Sequence, residues 1–297
     1  QPPTDNVGTY TYYCVITNDP ASTDCEYTTN THTLTVQAAP SVVVPNQDET
    51  ICEGGTIPDL YVNPTGPGTI TYEWNLVGGS SNPVSISPTC PVPTNVAGTY
   101  EYYCIVSFSS GGCPDVTSSN ITIIIVLDPS VTGPVTPLPI CDGGVIANPL
   151  DVIVSGGTGT ISYSWDKIGG SSNPVGINPT YDPGILSPSG IYEYQVTVDY
   201  DGNGCDPTTS NIVQIDVVDD PSSDDILNDT TVCQSSPNSS AAILEVNNVQ
   251  GGIPPFNYNY QWWQATPLPA QQVGLNQYQY QPPTDNVGTY TYYCVIT

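Results

Sequence analysis

Basic side chains are almost missing from this chain. Lys and Arg together number 1 in 297 residues, against 28 Asp and Glu, which leaves a formal net charge of −27. A protein that grips phosphates needs a cationic face, so nucleic acid is excluded as a partner. An anionic membrane surface is disfavoured on the same ground. Histidine is as scarce: His32 stands alone. With His32 and Lys167 as the whole inventory, no Ser-His-Asp triad, three-His metal centre or Gly-rich phosphate loop with its Lys is expected. Paired carboxylates for glycoside hydrolysis survive that count, but no pair recurs or stands out, so no enzyme is expected. The longest apolar run, Ile123 to Leu127, is far short of the roughly 18 residues of a membrane span. No stretch has a helical period. Methionine is absent even at position 1, so the natural translation start is expected elsewhere, and the lack of a visible signal peptide carries no weight.

What is present is the vocabulary of short strands and turns. There are 31 Pro, 27 Gly, 21 Tyr and 4 Trp, and 38% of residues are hydrophobic. These fall in alternating runs, which excludes disorder. Ten Cys in so Lys-poor a β-rich chain point to an oxidising compartment and disulfides.

One stretch is written twice. Gln1 to Thr17 and Gln281 to Thr297 are identical, at an offset of 280 residues. Its Gly-Thr-Tyr-Thr-Tyr-Tyr-Cys-Val-Ile-Thr segment alternates like the interior of a strand. The 297 residues therefore read as a window on an array with a 280-residue period. Within it, three landmarks recur. A Cys opens each unit (Cys52, Cys141, Cys233), a Tyr-x-Trp follows (Trp74, Trp165, Trp262), and then comes Gly-x-Tyr at Tyr100, Tyr192 and Tyr290, with Tyr10 as the earlier copy. Successive Gly-x-Tyr spacings of 90, 92 and 98 residues make three units per period.

A second Cys (Cys25, Cys113, Cys205) precedes the closing strand of each unit. Leu34, Ile124 and Ile215 align there, as do Val36, Val126 and Val217, and alternation assigns them to the core face. The expected units are residues 1–40, the closing part of one repeat; 46–131 and 135–221, complete repeats; and 226–297, the opening part of a third. Linkers carry Pro-Ser in register (Pro40-Ser41, Pro129-Ser130, Pro221-Ser222), so the joints are short and stiff.

About seven short strands per unit predict an all-β fold of tandem immunoglobulin-like sandwiches. Trp74, Trp165 and Trp262 occupy the place of the third-strand core Trp. Tyr12, Tyr102, Tyr194 and Tyr292 are expected in the core, and Tyr12 and Tyr102, two positions before a Cys, are the expected tyrosine corner. The usual second-strand Cys is missing, so the antibody-type bridge is excluded. By register, Cys52 is expected to pair with Cys113 and Cys141 with Cys205, while Cys233 and Cys25 pair with adjacent copies. The joint absence of their equivalents from the second repeat points to Cys90 with Cys104. Cys14 and its copy Cys294 are left unpaired, or compete with Cys25.

Asp199, Asp201 and Asn203 match the first half of a Ca²⁺ loop, but the twelfth position is Ser210 rather than Glu, and an acidic hairpin explains them as well. Asn120, Asn228 and Asn238 lie in Asn-x-Ser/Thr sequences, and Thr230 in an Asp-Thr-Thr motif of the O-glycosylation type.

Thr-Ile-Cys-Glu-Gly-Gly, Tyr-x-Trp, Ala-Gly-Thr-Tyr-Glu-Tyr-Tyr-Cys-Ile-Val, Gly-Gly-Cys and Thr-Ser-Ser-Asn-Ile-Thr, in that order, resemble the tandem immunoglobulin-like (PKD-like) repeats of large Bacteroidetes cell-surface adhesins of the gliding-motility type. The resemblance implies export to the cell surface, a filament of repeats without a cofactor, neighbouring copies as partners, and adhesion to surfaces or polysaccharide. Two other readings stay open. One is a polymer of discrete subunits completed by a donated strand near residues 31–36, and the other is a carbohydrate- or Ca²⁺-binding accessory module.

Overall fold

The computed structural model describes the chain except residues 1, 3, 18–25, 111, 203, 225–228, 235–242 and 267–268. Cys25, Asn203, Asn228 and Asn238 lie outside the described residues. All regular structure among the described residues is β-strand, and no helix is long and apolar enough to cross a membrane. The chain forms two compact units, residues 1–130 with 155–161 and 199–207, and residues 131–154 with 162–198 and 208–297.

In the first unit the strand Gly98–Phe108 is the axis. Tyr102, Cys104, Val106 and Phe108 are buried while the residues between them are partly exposed, the period of two that a strand with one core face requires. One edge of this strand pairs with Ile121–Val126 and then Val116–Thr117. The other pairs with Ile70–Leu76, which sets Cys104 opposite Trp74. Glu49–Cys52 joins Ile121–Val126 in parallel, while Leu60–Tyr61 and Thr89–Cys90 pair separately. A first strand parallel to the last and all others antiparallel is the order of an immunoglobulin-like sandwich. The core gathers Trp74, Tyr102, Val106, Leu60, Ile121, Ile123 and Ile125.

The closing strand departs from expectation by one residue. Ile123 is 0% exposed, whereas Ile124 is 37% exposed. Ile121, Ile123 and Ile125 face the core, so Ile123 is the partner in register of Leu34 and Ile215: each pairs with its Gly-x-Tyr tyrosine, Tyr100, Tyr10 and Tyr192. In the continuous Ile123-Ile124-Ile125-Val126 run alternation gives no face, and a slip of one inverts every side chain.

The second unit holds most of a sheet ordered Ile140–Cys141, Val213–Val218, Gly190–Asp201, Thr160–Lys167, again opened by a parallel pair. It also holds a three-stranded sheet in which Tyr260–Thr266 lies between Gln271–Val273 and Thr291–Ile296. Trp165 and Trp262 are 0% exposed and Tyr194 is 2% exposed.

Each core Trp has the same fastening. Its indole N–H donates to a backbone carbonyl: Trp74 to Ser87 at 3.1 Å, Trp165 to Asn178 at 2.9 Å, Trp262 to Gln277 at 2.9 Å. A buried indole needs such a partner. The Gly-Gly-Ser-Ser-Asn-Pro-Val repeats gain a physical meaning too. The Asn82 side chain accepts from Leu76 N–H and donates to Leu76 C=O, both at 2.9 Å, and Asn173 does the same with Lys167. Each Asn side chain thereby satisfies a strand end as a further peptide would.

A third device escaped the sequence reading. Where the hairpin enters the closing strand, a hydroxyl accepts the N–H of the central strand: Ser118 from Cys104 at 2.9 Å, Ser210 from Val196 at 3.1 Å, Thr29 from Cys14 at 2.9 Å. Ser118 and Ser210 are buried. Ser210→Ala leaves the Val196 N–H without its side-chain acceptor, at a cost of about 1–3 kcal/mol, whereas Ser210→Thr, the choice at Thr29, keeps it. Urea unfolding of the two variants checks this ordering. The buried core also sets an alkaline limit. Burial first, then Tyr181 and Tyr192, push the Tyr194 phenol from 10.0 to about 12. The unfolded chain ionises there first, so this stability is complete below pH 10 and is lost as the pH rises towards 12. The urea midpoint should fall across that window, and less so in Tyr194→Phe.

Candidate functional site

The residues expected to carry special chemistry do not converge on a pocket. Among the described residues, no group of three or more His, Cys, Asp or Glu side chains is placed to hold a metal ion. Asp201 accepts the Thr160 N–H at 2.7 Å, which fixes its carboxylate on the neighbouring strand, and Asp199 is exposed. Asn120 is exposed and donates to Glu101 at 3.1 Å, and Thr230 is exposed. His32 pairs with Tyr12 on a two-stranded ladder. Lys167, the one Lys or Arg, lies 4.6 Å from the centre of the Tyr192 ring, a cation–π contact.

What the structure does build, and repeats, is a joint. At residues 127–128 and 156–157 the Gly157 N–H donates to Leu127 C=O at 2.8 Å, and the Tyr200 hydroxyl closes on Gly156 C=O at 3.3 Å. A Cβ on Gly156, which has φ +75°, would stand 2.5 Å from Asp128 C=O, so only Gly fits there. Asp128 also accepts the Asp206 N–H at 3.4 Å. Within the second unit the same joint is made again. Gly252 N–H donates to Asp219 C=O at 2.8 Å, Tyr258 closes on Gly251 C=O at 2.8 Å, and a Cβ on Gly251 would collide with Asp220 C=O.

The first joint is covalent. Cys52 is bonded to Cys205, a sequence separation of 153 residues. Cys52 ends the parallel opening strand of the first repeat, and Cys205 sits in the last hairpin of the second. The expected pairs Cys52–Cys113 and Cys141–Cys205 are therefore not made; Cys113 and Cys141 are thiols. The reason is topological. A strand parallel to the closing strand ends where that strand ends, at the joint, whereas a repeat's own last hairpin lies at its opposite end. Register along the sequence identified the two cysteine classes but not the direction of pairing.

Cys90 and Cys104 are also buried thiols rather than a bridge. Cys90 faces Leu60 across its strand pair. Tyr181 and Tyr280 hold that position in the other repeats, each stacked on a core Trp at 5.8 and 5.9 Å. Cys90 thus fills an aromatic slot as a small apolar residue. Burial first, then Asp59 and Cys104, push its thiol from 9.0 to about 11.

The tyrosine corner is corrected as well. Tyr10, Tyr100 and Tyr192, not Tyr12 and Tyr102, donate their hydroxyls to the carbonyl four residues back: Asn6 at 3.2 Å, Val96 at 3.1 Å, Pro188 at 2.8 Å. At Gly98 a Cβ would come 3.3 Å from the Tyr100 ring, which explains the Gly-x-Tyr landmark. Tyr102 is a core residue at 4% exposure, and Tyr292 is half-buried, but Tyr12 is 37% exposed. Among the described residues its strand Gly8–Tyr12 pairs only with His32–Val36, so no Trp-bearing strand covers it.

On this strand order the fold is all-β, in tandem immunoglobulin-like sandwiches. No protein-family model matches the chain, and no curated protein does. Among solved structures it is similar to the three N-terminal domains of the highly immunogenic outer capsid protein of bacteriophage RB49, with 16% identity, TM-score 0.46 and 80% of each chain covered. It is similar to the first five immunoglobulin domains of Sidekick-1, with 15% identity, TM-score 0.46, and 99% of this chain against 64% of that one. It is also similar to a three-domain immunoglobulin segment of titin, with 14% identity, TM-score 0.43, and 88% and 97% covered.

A thiolate, not a thiol, attacks an alkylating reagent. Raising a thiol from 9.0 to about 11 slows the native Cys90 roughly 100-fold at pH 8 from ionisation alone. Pulsed iodoacetamide labelling read by mass spectrometry should find Cys90 and Cys104 protected until urea unfolds the core.

Proposed function

We propose that this chain is a stretch of a non-enzymatic extracellular fibre whose immunoglobulin-like repeats give reach and mechanical persistence, with adhesion at the cell surface as its output. The observation that carries the reading is the duplicated segment. Its first copy is paired on one edge: Tyr10 faces Leu34, Tyr12 faces His32, and Val15–Thr17 pairs with Glu26–Thr28. Its second copy is paired on the other: Cys294 faces Trp262 and Tyr292 faces Gln264. Superposed at the 280-residue offset, the two halves reproduce the complete strand Gly98–Phe108, where Tyr100 faces Ile123, Tyr102 faces both Ile121 and Leu76, and Cys104 faces Trp74. One sequence filling both roles is the signature of a periodic array. The charge of −27 keeps such an array soluble and self-repelling, and rigid outward Tyr and Thr suit contact with polysaccharide.

A second reading follows from the same edges. Discrete subunits would assemble if the strand His32–Val36 of one copy completed the open edge of Thr291–Ile296 in another, as in donor-strand addition. A Ca²⁺- or carbohydrate-binding accessory role has only Asp199, Asp201 and exposed tyrosines behind it.

The mass of the reduced, denatured polypeptide from purified fibres decides between the first two. A chain of several hundred kilodaltons is expected; a species near 31.4 kDa overturns the continuous array in favour of strand exchange.

A further inference from the structure

We infer that the Cys52–Cys205 bond is one rung of a disulfide ladder in which the opening cysteine of every repeat is bonded to the hairpin cysteine of the next. Cys141 is then bonded to Cys25 one period on, and Cys233 to Cys113 one period on. The partner is thus another copy of this same sequence. The inference rests on the proposed array.

Three observations carry it. First, Cys141 is set as Cys52 is. Cys52 ends a parallel pair opposite Val126, and Cys141 ends one opposite Val218. After each, a Gly at φ +77° or +74° turns the chain, and the second Gly N–H returns to the cysteine carbonyl at 3.1 and 2.9 Å. The residue between donates to the end of the closing strand, Glu53 to Val126 and Asp142 to Val218, both at 2.9 Å. Second, the linker backbone of the next joint repeats the first: Gly252 N–H donates to Asp219 C=O as Gly157 N–H does to Leu127 C=O, and a tyrosine hydroxyl closes on the Gly before, Tyr258 from just ahead of the Trp-bearing strand where the first joint uses Tyr200 of the Gly-x-Tyr strand. Third, the cysteine count closes. Opening cysteines Cys52, Cys141 and Cys233 meet hairpin cysteines Cys205, Cys25 and Cys113 with none left over. Cys113, Cys141 and Cys233, each a thiol that is not fully buried, are those whose partners would lie in another period.

The approach is tight: a Cβ on Gly204 would stand 2.5 Å from Gly55 Cα. Each further rung keeps a glycine at this contact, Gly144 after Cys141 and Gly112 before Cys113. Formation of a rung removes two protons and two electrons from a thiol pair. An oxidised disulfide catalyst of the export pathway accepts them by thiol–disulfide exchange and leaves as its dithiol.

The test is peptide mapping of fibres purified without reductant. Free thiols are blocked at low pH, and digestion uses pepsin, since one Lys gives trypsin a single site per period. Linked peptides joining Cys141 to Cys25 and Cys233 to Cys113, beside Cys52–Cys205, are expected, and all vanish on reduction. Cys141 linked to Cys205, Cys52 linked to Cys113, or Cys141 recovered alkylated overturns the ladder. A reduced chain of several hundred kilodaltons with those within-repeat links sinks the ladder and leaves the array standing. Cross-repeat links in a species that falls to about 31.4 kDa on reduction support the ladder and overturn the continuous array. In a two-period polypeptide, Cys141→Ser should lose the Cys141–Cys25 peptide and keep Cys52–Cys205. Persistence of every other linked peptide shows that the variant is folded.

Discussion

A β-strand at the centre of a sandwich has two hydrogen-bonding edges and one core face, and all three must be filled. The Gly-x-Tyr strand is that element in every repeat. In Gly98–Phe108 one edge takes the Trp-bearing strand and the other takes the closing strand. The core face presents Tyr102, Cys104, Val106 and Phe108. The corner tyrosine locks the entry of the strand, and a buried Ser hydroxyl locks the point where the closing hairpin leaves it. Tyr102, paired on both edges, is 4% exposed, whereas Tyr12, which among the described residues is paired on one, is 37% exposed.

That dependence explains why the joints are chemically distinctive and the strand surfaces are not. A chain carrying 28 acidic groups and one base has almost no ion pairs with which to hold successive domains in register. The joints use other means: backbone hydrogen bonds from Gly157 and Gly252 to the linker carbonyls, a tyrosine hydroxyl over the preceding Gly, and a disulfide at Cys52–Cys205. None of these depends on salt, whereas exposed ion pairs are screened within about 8 Å at physiological ionic strength. In the chain-entropy picture a bond that closes a 153-residue separation removes about 5 kcal/mol of freedom from the unfolded chain.

The fold was legible because its signals are local and repeated. Alternation around the Tyr-x-Trp and Gly-x-Tyr landmarks, and turn residues every few positions, placed the strands and the three core tryptophans. Face assignment failed at Ile124, where an all-apolar run carries no alternation, and the tyrosine corner was shifted by two because Tyr100 and Tyr102 are chemically alike in sequence. Only the hydrogen bond from Tyr100 to Val96, and the ring lying over Gly98, separates them. A Gly two residues before a Tyr at the head of a strand was the available signal. The Ser118, Ser210 and Thr29 hydroxyls were also readable, as a hydroxyl residue before each closing strand, but their meaning depends on which backbone N–H they reach.

Cysteine pairing was the least legible feature, for a reason that is general to tandem domains. In an isolated sandwich, two cysteines in equivalent positions of every repeat pair inside the repeat or not at all. In an array each position has a second neighbour, and sequence register is the same for both choices. Topology separates them. The opening strand runs parallel to the closing strand, so its last residue is carried to the far end of the domain, away from that domain's own last hairpin and towards the next. The parallel register of Ile51 with Ile125 and of Ile140 with Val217 is thus the fact that turns a repeat-internal cysteine pattern into a joint. A bridge across the joint ties the opening strand of one sandwich to the last hairpin of the next, while a bridge inside the repeat would reinforce a core that Trp74 and Trp165 already hold.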